Sequence, residues 1–121
     1  VRARSHLGSR VSILADLHVK HAKQLGPSEL RTVAQDTVLR AHADGLILSG
    51  AATGSPTDYD EISAIREVLP EIPVLVGSGV SPEHLPPKEF TGMIVGTWLK
   101  QGGRVNADRG RKLMTAVENA P

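Results

Sequence analysis

Short runs of aliphatic residues recur four times along this 121-residue chain, at 11–19, 46–48, 74–76 and 93–95, and segments of helical periodicity lie among them. After the breaker Leu25-Gly26-Pro27, Ser28 suits a helix N-cap with Glu29 in the first turn. Leu30, Val33, Ala34, Thr37, Val38 and Ala41 then form one continuous stripe at a period of 3.6. A second helix starts at Asp58 and carries Ile62, Ile65, Val68 and Leu69 on one side, until Pro70 and Pro73 stop it. A last helix over 108–118 is expected to turn Leu113, Met114 and Val117 inward. Only a short, proline-rich connection joins the third run to the fourth. Strands that read as unbroken apolar runs and alternate with helices indicate a parallel sheet covered on both faces.

Four βα units are half the inventory of a (β/α)8 barrel, whose usual length is about 250 residues. The expected fold is therefore α/β, half of a TIM barrel, with residues 1–121 as a single half-barrel domain of a longer protein. The alternative is a small doubly wound sheet, which is complete at this size.

Composition narrows the function. Apolar residues make up 40% and charged residues 22%, a soluble balance, and no apolar run is long enough to span a bilayer. The absence of cysteine excludes a disulfide scaffold, a thiolate metal site and a cysteine nucleophile. Fourteen basic residues against 13 acidic ones give no electrostatic case for nucleic acid. The aromatics are Tyr59, Phe90 and Trp98, so few platforms exist for stacking bases. The start, Val-Arg-Ala-Arg-Ser, is followed by no apolar stretch of signal-peptide length. It reads as a fragment boundary rather than the tail of a transit peptide, and the expected location is cytoplasmic.

In parallel α/β folds the chemistry collects at the carboxyl ends of the strands. The first end here offers Asp16, His18, Lys20 and His21; the second offers Ser49, Gly50, Thr53 and Gly54. The third offers Gly77, Ser78, Gly79 and Val80, and the fourth Gly96 and Thr97. Glycines at two consecutive strand ends suit a phosphate site, because backbone N–H groups can approach an anion closely there. The amides of 78–80 and 97–98 are expected to converge on it, with the hydroxyls of Ser78 and Thr97 and the cation of Lys100 as helpers. Asp16, His18 and Lys20 alternate and would share one face of an extended strand, the best place for acid–base work. His21, Ser49, Gly50, Thr53 and Gly54 are expected to line the substrate loops. No cofactor is evident; a divalent metal on Asp16, His18 and His21 is the minor alternative, lacking a fourth ligand.

At these strand ends the chain resembles the BtpA/SgcQ family, named after a photosystem I biogenesis protein. The resemblance is carried by Ala-Asp-Leu-His-Val-Lys-His-Ala (15–22), Ala-Gln-Asp-Thr-Val (34–38) and Ala-Asp-Gly-Leu-Ile-Leu-Ser-Gly-Ala-Ala-Thr-Gly (43–54). Val-Leu-Val-Gly-Ser-Gly-Val (74–80) and Ile-Val-Gly-Thr-Trp-Leu-Lys (94–100) continue it in order. It implies a barrel about twice this length, of which this is the carboxyl-terminal half. Two departures stand out: no full helix fits between the third and fourth strands, and Trp98 replaces a small polar residue, where it would crowd a ligand beside Thr97. The function implied is binding of a phosphorylated sugar or nucleotide, with a phosphoribosyltransferase-like transferase as the enzyme class. The alternative is a non-catalytic photosystem I assembly factor, peripheral to a membrane and organellar in some sources. The expected partners are a phosphorylated small molecule and either a second copy of the chain or the missing half-barrel.

Overall fold

A computed structural model of the chain describes residues 2–17, 29–50 and 57–120. The order is α1 (Arg2–His6), β1 (Leu14–Asp16), α2 (Leu30–Gln35) with a π-helical turn (Asp36–Arg40), and β2 (Gly45–Leu48). Then come α3 (Asp60–Val68), β3 (Val74–Val76), β4 (Gly92–Met93), β5 (Lys100–Gln101), β6 (Arg104–Val105) and α4 (Ala107–Glu118). β1 to β4 form one parallel sheet in that order, with Ala15 opposite Leu46, Leu46 opposite Val74, and Val76 opposite Met93.

The strand order separates the two expected architectures. A doubly wound sheet reverses its order once and so carries helices on both faces. Here the order never reverses, and right-handed crossovers then place successive helices on one face. Leu46, Leu48, Val74 and Val76 point to that face, where Ala34, Ile62, Ile65 and Leu113 close on them as the buried core. The chain is a partial barrel, and the doubly wound alternative is overturned.

The opposite face carries Leu14, Ile47, Leu75 and Ile94, none of which joins the core cluster. Leu14 is 45% exposed and Ile94 48%. Large and small residues alternate across this face as barrel interiors require: Leu14 stands opposite Gly45 and Leu75 opposite Gly92. β1 and β4 are both sheet edges. An open parallel sheet with a partly exposed apolar face among the described residues invites pairing. The isolated 121-residue chain is expected to self-associate, as seen by size-exclusion chromatography with light scattering. A sharp, monomeric, cooperative melt would contradict this.

Local details differ from expectation for physical reasons. The expected cap Ser28 lies outside the described residues. The π turn shifts the helix register by almost one residue per turn, so Ala41 leaves the apolar stripe and is exposed. His42 ends this helix at φ 56°, the left-handed conformation usually given to glycine. Asp58 accepts from the Asp60 amide at 3.0 Å as α3 begins. On α4 only Leu113 is buried and Met114 is 56% exposed, because a single covering layer needs a narrower stripe than expected. The β5–β6 hairpin was not anticipated; Gly102 and Gly103, at φ 57° and 77°, make its tight turn. α1 was not expected either.

α1 is latched to the amino end of the sheet. Arg4 pairs with Asp44 and donates to Val11 O and His42 O, both at 3.2 Å. Asp44 Oδ2 accepts from the Ile13 amide at 2.7 Å. That amide and then the Arg4 guanidinium hold the Asp44 carboxyl below its ordinary value of 3.8. A depressed carboxylate stabilises the fold above its unfolded pKa and loses that contribution as pH falls through the folded one. Asp44→Asn is thus expected to lower Tm at pH 7, with the difference from wild type shrinking as the pH is taken below 3.8. Thermal melts across that range check it; a pH-independent difference would contradict it.

Candidate functional site

The carboxyl ends of β1, β2 and β3 lie side by side in the sheet, and the loops that leave them are tied to one another. Asp16 closes β1 and is exposed. Its Oδ2 accepts a long bond from Ser49 Oγ, 3.5 Å away, at the end of β2. Ser49 occupies space that Gly77 leaves open, since an added Cβ at Gly77 would lie 2.6 Å from Ser49 Oγ and 2.9 Å from Ile47 Cγ2. The Gly77 amide donates to Leu48 O at 2.6 Å and holds the two strands together at this point.

Ser78 is buried, and its Oγ accepts from the Gly50 amide at 2.6 Å. Its carbonyl accepts from Thr57 Oγ1 at 3.2 Å. The hydroxyl expected to face an anion is instead the knot between the loops after β2 and β3. Gly79 follows at φ 74°, which turns the chain sharply and leads to the buried Val80. Beyond β4, Gly96 and Thr97 are exposed. The backbone N–H groups of Gly79, Val80, Gly96 and Thr97 have no acceptor among the described residues. Gly79 is half-buried and Val80 buried, where N–H groups are nearly always paired, so these two call for an acceptor, while those of Gly96 and Thr97 are open to water.

The segment after Thr97 is braced from α4. Arg109 donates to Trp98 O at 2.9 Å and to Lys100 O at 2.7 Å, and its guanidinium carbon lies 5.7 Å from the Trp98 ring centre. The Trp98 side chain packs against the core. The N-terminus of α4 is not an anion site. Asn106 Oδ1 already accepts from the Asp108 and Arg109 amides, at 2.9 and 3.2 Å, and Asp108 occupies the first turn.

The structure therefore brings Asp16, Ser49, Gly50, Gly77, Ser78, Gly79 and Val80 together, and places Gly96 and Thr97 in the turn beyond the end of β4. His18, Lys20, His21, Thr53 and Gly54 lie outside the described residues, and with them most of the metal alternative. Among the described residues no group of three His, Asp or Glu side chains could hold a metal ion. Two contributors were missed by sequence reasoning. Thr57 carried no signal beyond its place in a Gly/Ser/Thr loop, and Arg109 looked like an ordinary helix-surface charge.

A family model described as the BtpA family matches residues 1–119. An uncharacterized protein of Thermococcus kodakarensis is 44% identical over 92% of this chain and 44% of its own length. The photosystem I biogenesis protein BtpA of Synechocystis is 41% identical over 88% of this chain and 38% of its own length. The chain thus spans less than half of these relatives. Among solved structures, the YdjI aldolase of Escherichia coli superimposes with a TM-score of 0.50 at 18% identity, over 98% of this chain and 47% of that one. At that identity the likeness is one of fold, and it agrees with a partial barrel.

Proposed function

Since this chain belongs to the BtpA family, and presents that family's strand ends on one half of a barrel, we propose that it binds a phosphorylated sugar or nucleotide there. The observation that carries this reading is that the amides of the half-buried Gly79 and the buried Val80 have no acceptor among the described residues, with the exposed amides of Gly96 and Thr97 beyond β4. Backbone N–H groups suit a phosphoryl group because they are fixed by the strands, carry no competing charge and donate in a fixed direction. The Gly50–Ser78 bond keeps the adjoining loop in place, so little ordering cost remains when an anion arrives.

Acid–base work falls to the first strand end, with Asp16, His18 and Lys20 as the groups in sequence. In that role His18 moves the proton and Asp16 orients its ring. A transferase acting on a phosphorylated small molecule needs both parts, a phosphate anchor and a nearby base. His18→Ala is expected to abolish turnover while leaving stability within about 0.5 kcal/mol, the usual background for a substitution that acts on chemistry rather than on packing. Equal turnover in wild type and variant would remove His18 from the reaction. Titration of the full chain with ribose 5-phosphate, followed by calorimetry, tests the anchor itself.

A second reading has one specific support, the name of the Synechocystis relative, a photosystem I biogenesis protein. In it the barrel is a scaffold peripheral to a membrane. No helix among the described residues is long and apolar enough to cross a bilayer, so contact would be through the surface. Flotation with anionic vesicles, together with indifference to sugar phosphates, would favour this reading over the first.

A further inference from the structure

We propose that Asp16 and Ser49 form a hydroxyl-reading subsite, which makes the ligand a sugar phosphate with free hydroxyls and leaves a nucleobase without a seat. This deepens the phosphate reading of the same strand ends and rests on it. Asp16 and Ser49 lie on the face of the sheet turned away from the helices, two residues apart across the β1–β2 register, in which Asp16 stands opposite Ile47. Their neighbours on that face are aliphatic: Leu14, Ile47 and Leu75. The Asp16 carboxylate is exposed, and the 3.5 Å bond from Ser49 is a weak one. Both groups therefore have capacity left for a ligand. Ser49 is aimed by what Gly77 lacks, because any side chain there would displace its Oγ.

Spacing selects the ligand length. Neighbouring strands lie about 4.8 Å apart, so the end of β1 is about 10 Å from the end of β3. A phosphoryl group held at Gly79 and Thr97 leaves room for a chain of five or six carbons to reach Ser49 and then Asp16. Charge sets the direction, since the Asp16 carboxylate repels the phosphoryl group and accepts from hydroxyls. A nucleobase would need an aromatic or guanidinium plane. Tyr59, Phe90 and Trp98 all pack against the core, and Arg109 covers Trp98.

The test compares methyl phosphate, ribose 5-phosphate and AMP on the full chain by calorimetry. Ribose 5-phosphate should bind about tenfold or more tighter than methyl phosphate, the gain from added hydroxyl contacts, and AMP no tighter than ribose 5-phosphate. Asp16→Asn and Ser49→Ala should each shrink that preference at least threefold while leaving methyl phosphate binding intact. Circular dichroism and the retained methyl phosphate binding show that the variants are folded. If methyl phosphate binds but the preference is absent, or survives both substitutions, the hydroxyl subsite is overturned and the phosphate site stands. AMP binding well above ribose 5-phosphate would replace the sugar with a nucleotide. If none of the three binds, both readings fall together.

Discussion

Arg66→Ala is expected to destabilise the fold by about 2–4 kcal/mol, because it removes a charged donor from several backbone carbonyls at once. Arg66 sits on α3, and its Nε and Nη2 donate to Glu89 O at 3.0 and 2.7 Å. Nη1 donates to Pro70 O at 3.1 Å and to Ile72 O. Nη2 also reaches Thr91 Oγ1 at 3.4 Å, the same hydroxyl that accepts from the Val74 amide. One side chain thereby holds the turn out of α3, the start of β3 and the entry to β4. It does so where the chain has no helix: residues 77–91 contain only a Ser81–His84 bridge, turns and prolines. Arg66→Lys should recover less than half of the loss, since an ammonium cannot span carbonyls that a planar guanidinium spans in fixed directions. Urea unfolding measures the first effect, and faster amide exchange at Thr91 and Ile94 locates it. A loss below about 0.5 kcal/mol, the surface background, would show that the clamp is decorative.

Gly79→Val is expected to weaken phosphate-ester binding by roughly 10–100-fold, the worth of one or two charge-assisted backbone bonds. At φ 74° a β-branched residue is strained, so the backbone must rotate and carry the amides of Gly79 and Val80 with it. Lys100→Ala should change the same affinity less than about threefold, because an exposed lysine contributes little beside fixed amides. Calorimetric titration with ribose 5-phosphate separates the two variants. Tight binding by Gly79→Val, or a larger loss in Lys100→Ala, would move the anion away from these strand ends.

Much of this arrangement was legible in the residues themselves. Val74–Val76 is a strand where its apolar run ends in glycine, and Leu46 to Leu48 lies within β2. The Ile62 and Ile65 stripe forms the buried side of α3. The fourth run was read too far along, since ladder pairing covers only Gly92–Met93 before the chain turns away. Gly102-Gly103 is a strong hairpin signal that was overlooked between a strand and a helix.

The sequence by itself determined which stretches are strands and helices and where most of them turn. Those properties follow from side-chain period and backbone freedom, which act over a few residues. Only the tertiary structure decided that the strands run in unreversed order, with one face covered by helices and the other partly exposed among the described residues. It alone tied Gly50 to Ser78, laid Ser49 over Gly77 and set Arg66 against three backbone carbonyls and the Thr91 hydroxyl. Each of these joins groups brought together by packing, and whether a serine braces a loop or meets a ligand depends on what lies across from it.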